Sequence, residues 1–188
     1  CSMRCSATIN ACAQSGWQRA AQLVSKMQTE STEPNIIVYN SFLSSCEKSK
    51  GWQNALKTLE LLPSPNLVSF NSSLSACEKV EKWQHALSLF ALLPVSADVI
   101  TCNAVLSACE KRRRWQRVLW ILRSFNTEWS NTSCNVGIAA CQKGLAWMYA
   151  LRVFWMCRSA DEISYSSTLA ALSPTQWQLA LSLFAEMW

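Results

Sequence analysis

Six positions recur along this chain with side chains able to hydrogen-bond a planar partner: Ser6, Asn40, Asn71, Asn103, Asn135 and Ser166, at steps of 34, 31, 32, 32 and 31 residues. An asparagine amide holds a donor and an acceptor in one plane, a match for the edge of an unstacked base, and serine is a smaller hydroxyl that leaves room for a purine. Further polar groups follow four and eight residues on: Ser44 and Lys48, Ser75 and Lys79, Ser107 and Lys111, Ala139 and Lys143. Residues four apart share a helix face, so a planar hydrogen-bonding group, a small residue and a cation line one stripe. The lysine row is expected to meet successive phosphates. Ser6 and Ser166 have Gln14 and Pro174 where the lysine would stand. Plainer explanations exist for both rows. Asparagine favours helix starts, where it caps orphan N–H groups. Lysine near a helix C-terminus complements the macrodipole, and Glu47, Glu78 and Glu110 dilute the positive field. The patterning of the whole stripe favours base reading over capping.

The elements that would position this stripe are set by a repeat. Trp17, Trp52, Trp83, Trp115, Trp147 and Trp177 are spaced by 35, 31, 32, 32 and 30 residues. A ladder of Cys12, Cys46, Cys77, Cys109, Cys141 and Leu172 has the same steps as the Asn/Ser ladder. Coincident ladders of this kind mark a repeat architecture. Each unit holds two helical stripes. The second starts at the tryptophan and has apolar residues at offsets of three, four, seven and ten, as in Ala86, Leu87, Phe90 and Leu93. The first reads as the shorter, with Tyr39, Leu43, Cys46 and then Phe70, Leu74, Cys77 on one face. Polar turns such as Ser49-Lys50-Gly51 join the two, and Pro34, Pro63, Pro65 and Pro94 break the chain after the second. One hairpin cannot bury both stripes, but a stack of hairpins can. The expectation is an all-α fold, a right-handed α-solenoid of about six helix-turn-helix repeats in a single domain. The repeats run about 2–35, 36–66, 67–98, 99–130, 131–161 and 162–188, the last cut short.

Composition agrees. Half of the 188 residues are apolar and 15% are charged, so the chain has material for a core and is not a disordered tract. The net charge of +5 is compatible with an anionic partner without requiring one. No apolar run is long enough to span a membrane. The ten cysteines form no C-x-x-C pair and mostly repeat on apolar helix faces, which reads as small buried hydrophobes in a reducing compartment. The chain opens Cys1-Ser2-Met3-Arg4 and ends within an amphipathic pattern, so both ends read as cuts in something longer.

The units IVYNSFLSSCEKSKGWQNALKTLELL, LVSFNSSLSACEKVEKWQHALSLFALL and VITCNAVLSACEKRRRWQRVLWIL resemble the pentatricopeptide repeat, V-T-Y-N-x-L-I-x-A-x-x-K-x-G followed by A-L-x-L-F-x-x-M. They depart from it in having mostly shorter units, Trp-Gln at the start of the second helix, and linkers without the usual Pro-Asp ending. The resemblance implies binding of single-stranded RNA in organelle RNA processing, editing, stability or translation, one base per repeat. The setting it implies is a mitochondrion or plastid, with other RNA-processing proteins as further partners. By the family's pattern the base is read by the residue after the first helix's aromatic and by the last linker residue before the next repeat. Carried over, Ser6 pairs with Asn35, Asn40 with Asn66, Asn71 with Asp98, Asn103 with Ser130 and Asn135 with Asp161, while Ser166 lacks a partner. The implied target is 5′-A-Y-U-C-U-purine-3′. Ile37, Val68, Ile100 and Ile163 match the family's apolar positions that sandwich bases.

The tryptophans start the second helix's apolar stripe and so belong to the core rather than to a base-stacking surface. Arg112, Arg113 and Arg114 read as a solvated turn or as a further RNA contact, and His85, the one histidine, as a surface residue. No catalytic role is expected. The H-x-E and P-C-x-x-C signature of zinc deaminases is absent, as are a metal-binding acidic cluster and a glycine-rich nucleotide loop, so neither a cofactor nor a metal is expected. The main alternative is a protein-binding scaffold of the tetratricopeptide kind, and a third reading is a spacer whose repeats no longer bind.

Overall fold

The computed structural model describes residues 17–29, 35–93, 98–124, 129–157, 160–172 and 176–187. Ser6, Cys12, Gln14, Pro34, Pro94 and Pro174 lie outside them. The described residues form eleven α-helices and no strand. The chain divides into two compact units, Cys1–Ala97 and Asp98–Trp188. The first holds α1 (Trp17–Thr29), α2 (Ile36–Lys48), α3 (Trp52–Leu61), α4 (Leu67–Lys79) and α5 (Trp83–Ala91). The second holds α6 (Val99–Lys111), α7 (Trp115–Ser124), α8 (Asn131–Lys143), α9 (Trp147–Met156), α10 (Glu162–Ala171) and α11 (Trp177–Met187). Within the first unit α2 lies against α4; within the second, α6 lies against α8 and α8 against α10. The all-α expectation holds, and each unit is built of stacked helical hairpins.

In the four hairpins α2–α3, α4–α5, α6–α7 and α8–α9 the helix lengths reverse one expectation, whereas α10 and α11, with 10 and 11 residues, keep it. The first helices α2, α4, α6 and α8 have 13 residues each, whereas the second helices α3, α5, α7 and α9 have 10, 9, 10 and 10. The apolar stripe understated the first helix because its opening turn is held by a polar cap rather than by burial. Its far end is set by a recurring turn. Lys50, Glu81, Arg113 and Leu145 adopt left-handed backbone with φ of 59°, 57°, 56° and 56°. The next N–H in each turn, at Gly51, Lys82, Arg114 and Ala146, donates to the carbonyl of Cys46, Cys77, Cys109 and Cys141 at 2.8, 2.9, 3.0 and 2.9 Å. This is the Schellman arrangement, which satisfies the last carbonyls of the helix and reverses the chain.

The buried face of the second helices also differs from the stripe read in the sequence. Offsets of three, six and seven from the tryptophan are buried: Ala55, Thr58 and Leu59; Ala86, Leu89 and Phe90; Val118, Ile121 and Leu122. Leu56 and Leu87, at offset four, are only half-buried. The first helices bury a broader arc, for example Val38, Ser41, Phe42, Leu43, Ser45 and Cys46 in α2. A helix sandwiched between neighbours needs small residues where backbones approach. A Cβ on Gly137 of α8 would come within 2.8 Å of Leu122 and 3.1 Å of Val153. Trp17, Trp52, Trp83, Trp115 and Trp147 are half-buried, and Trp115 packs onto the following hairpin, stacking at 5.0 Å on Tyr149 and leaving no room for a Cβ on Gly144. His85 was read as a surface residue. It is half-buried against Trp52, with ring centroids 4.8 Å apart, because offset two of the second helix faces the preceding hairpin's tryptophan.

The cysteine ladder behaves as hydrophobes. Cys46, Cys77, Cys109 and Cys141 are free thiols with no accessible surface. Burial pushes the Cys46 thiol up to about 12 and the other three to about 11, far from reactive thiolate. Cys134 and Cys157 differ: a thiol–thiol hydrogen bond within their hairpin lowers Cys134 and raises Cys157.

Candidate functional site

The linker residues singled out as second readers are the N-caps of the first helices. Asn35, Asn66, Asp98, Ser130 and Asp161 have extended backbone, and their side chains accept the N–H of the third helical residue, Val38, Ser69, Thr101, Ser133 and Ser164. One side-chain oxygen thus satisfies one of the helix's orphan donors. The frame at Ser130, where no proline or aspartate marks the linker, is held by Trp129, whose indole N–H donates to the Leu122 carbonyl at 3.1 Å near the end of α7. Asn40, Asn71, Asn103, Asn135 and Ser166 stand at the fifth position of their helices, too far in to cap them. Capping and the Asn ladder therefore belong to different residues.

Three of the expected pairs meet within a unit. Asn40 Nδ2 donates to Asn66 Oδ1 at 3.4 Å. Asn135 Nδ2 donates to Asp161 Oδ1 and Oδ2 at 3.2 and 3.3 Å. Asn103 and Ser130 are joined through a third residue: Ser133 Oγ donates to Asn103 Oδ1 at 2.6 Å and lies 3.0 Å from Ser130 Oγ. The fourth pair, Asn71 and Asp98, has one member in each unit, and Ser6, partner of Asn35, lies outside the described residues.

Sequence reading missed that third residue. Ser69, Ser133 and Ser164 are fully buried, and each hydroxyl lies 2.6 Å from the amide oxygen of the reader one hairpin back; those of Ser69 and Ser164 also lie 2.9 and 2.8 Å from a side-chain oxygen of the caps Asn66 and Asp161, so their one hydrogen is shared between reader and cap. The signal was present as a hydroxyl residue three places after each cap: Ser69, Thr101, Ser133 and Ser164. In α10 it forms a full capping box, with Asp161 N–H donating back to Ser164 Oγ at 3.3 Å. The Ser164 N–H, its hydroxyl and then the Asn135 amide hold the Asp161 carboxyl below the usual carboxylate range.

The flanking positions are arranged around this network. Ile37, Val68, Ile100 and Ile163 are 58%, 56%, 69% and 60% exposed. The corresponding position of α8 is Thr132. In the second unit Asn135, Asp161, Thr132, Ile163 and Glu110 line one open cleft of about 420 Å³. Lys48, Lys79, Lys111 and Lys143 are exposed at the last position of their helices. Lys79 pairs with Glu47 at 2.8 Å and Lys143 with Glu110 at 2.5 Å, so the glutamates act across hairpins rather than as neighbours on the same helix. Ser75, expected on the same polar stripe, donates to Glu47 at 3.0 Å. Ser166 donates to its own helix at the Ile163 carbonyl. Among the described residues no group of His, Cys, Asp and Glu could hold a metal ion, and no helix is long and apolar enough to cross a membrane.

Hairpins of this geometry, with capped first helices carrying a polar column, define a helical-repeat protein. Over residues 3–49 the chain matches the family model of the pentatricopeptide repeat domain. Its fold is similar to that of the pentatricopeptide repeat protein PPR10 from maize, with a TM-score of 0.75 and 19% identity over 97% of this chain. It is also similar to PPR10 solved in complex with an 18-nucleotide psaJ RNA element, with a TM-score of 0.69 and 14% identity over 89% of this chain. The same values hold for a triple cysteine-to-serine variant of that complex. At such identities the likeness establishes a shared fold. This chain spans 28% of the first of these structures and 26% of the other two. Among curated protein sequences none matches it.

Proposed function

We propose that this chain binds single-stranded RNA sequence-selectively, one nucleotide per hairpin, with the target 5′-A-Y-U-C-U-purine-3′. The observation that carries the reading is the cleft in which Asn135 and Asp161 are hydrogen-bonded to each other beside exposed Ile163. A planar base slides between exposed side chains at the second helical positions, and its edge meets the reader amide and the cap. The similarity to a protein solved with an RNA element supports the same use of the fold. Base reading is assigned to Ser6, Asn40, Asn71, Asn103, Asn135 and Ser166 with the caps Asn35, Asn66, Asp98, Ser130 and Asp161. Lys48, Lys79, Lys111 and Lys143 are assigned to phosphates, for which Lys79 and Lys143 exchange their glutamate partners. Family resemblance carries the organelle setting and the role in RNA processing, editing, stability or translation.

The test is binding of the chain to the target RNA and to a scrambled RNA at two salt concentrations. The target is expected to bind more tightly, and both affinities to fall steeply with salt. Asn71→Ser is expected to move preference at the third base from uracil toward guanine, and Asp98→Asn to relax it toward either pyrimidine. Equal affinity for both RNAs would count against base reading. Affinity for peptides without affinity for RNA would replace the reading with a protein scaffold.

A further inference from the structure

We propose that Ser69 and Ser164 are specificity-determining positioning residues, whose hydroxyls lock the amides of Asn40 and Asn135 in one orientation so that a fixed donor and acceptor pattern faces the base. The proposal rests on the RNA reading above. An asparagine side chain turned by 180° about its last bond exchanges donor for acceptor, and a reader that turns freely recognises no particular edge. At Asn135 two contacts oppose the turn. Asp161 offers only acceptors and takes the Nδ2 hydrogen at 3.2 and 3.3 Å, and Ser164 donates to Oδ1 at 2.6 Å, the shorter of its two contacts, the other being to Asp161 Oδ1 at 2.8 Å. The reversed amide would face the Asp161 carboxylate with Oδ1. Asn40 is held alike: Asn66 Oδ1 already accepts the Ser69 N–H at 3.0 Å, so it presents an acceptor to Asn40 Nδ2, while Ser69 Oγ donates to Asn40 Oδ1 at 2.6 Å.

The hairpin of Asn103 is the internal control. Its cap is Ser130, a hydroxyl that can donate or accept, and among the described hydrogen bonds Asn103 reaches it only through Ser133. The chain Ser130–Ser133–Asn103 can run with all its donors reversed, so Ser133 ties the amide down without choosing its direction. Ser69 and Ser164 thus add to the two-residue reading set a third member, drawn from the next hairpin.

The experiment measures Kd of the 188-residue chain for the target RNA with all four bases in turn at the fifth position, opposite Asn135, and at the fourth, opposite Asn103. Ser164→Ala is expected to lower the preference for uracil at the fifth position about fivefold, the scale of one net hydrogen bond, while leaving the fourth unchanged. Ser164→Thr, which keeps the hydroxyl, is expected to retain it. Ser133→Ala is expected to change the fourth-base ratio by less than about twofold. Circular dichroism checks folding; if Ser164→Ala does not fold, Ser69→Ala repeats the measurement at the second base. A Ser164→Ala chain that keeps the wild-type ratio while Asn135→Ala loses it overturns the positioning role and leaves base reading standing. A wild-type chain that shows no base preference overturns both.

Discussion

Two joints in the second unit share a helix and differ in one cap. Where α6 meets α8, Asn103, Ser133 and Ser130 are linked as a relay of neutral groups. Where α8 meets α10, Asn135 bonds Asp161 directly, Ser164 bridges the two, and a capping box closes around the carboxylate. The helix starts are otherwise alike, with extended caps at φ −71° and −101°. The difference teaches that the repeat backbone places a reader, a cap and a hydroxyl together whatever their identity. Whether the set is rigid and polarised is decided by the cap side chain, because a carboxylate can only accept whereas the Ser130 hydroxyl can donate or accept.

The comparison can be broken most severely at Gly144, where a Cβ would lie 2.2 Å from Trp115 Cδ1. Trp115 is held against Tyr149, so Gly144→Ala is expected to cost about 2 kcal/mol in urea denaturation, acting on the α6–α8 side. The caps come next. Asp161→Ala is expected to cost about 1.5 kcal/mol and Ser130→Ala about 1 kcal/mol, because the aspartate also holds Asn135 and carries charge at a helix N-terminus. Equal losses would show that the network adds nothing beyond capping. Leu145, between the joints, has positive φ and is 88% exposed. Leu145→Gly is expected to gain about 0.5 kcal/mol and to leave both networks intact, which a raised denaturation midpoint with an unchanged Asp161–Ser130 difference would check.

The smallest expected effect is pH dependence. The folded Asp161 carboxyl titrates below its ordinary value of 3.8. Its stabilisation is therefore present above the unfolded-state value and lost as pH falls through the folded one. Denaturation of wild type and Asp161→Asn at pH 7 and at progressively lower pH is expected to show a gap that closes on the acid side. A constant gap would remove the carboxylate from the account. No such limb is expected from the Ser130 joint.

Much of the candidate site was legible because helix chemistry is local. Asn66, Asp98, Ser130 and Asp161 were found as linker ends, and each proves to cap the helix that follows. Missed were the roles of Ser69, Ser133 and Ser164, since hydroxyls three places after a cap are common and their bonds run to residues 29 or 30 positions away. The same holds for Lys79 with Glu47 and Lys143 with Glu110, 32 and 33 positions apart.

By itself, the amino-acid order determined the period, the pairing of two helices per unit, and the phase in which tryptophan, cysteine and asparagine return, because turns, caps and stripes are governed by residues within a few positions of one another. Only the tertiary structure decided that Thr58 rather than Leu56 is buried, that His85 lies against Trp52, and that a serine of one hairpin grips the asparagine of the hairpin before it. Those outcomes depend on how far each helix is rotated against its neighbour, which is set by side chains meeting across hairpins and leaves no mark at short range.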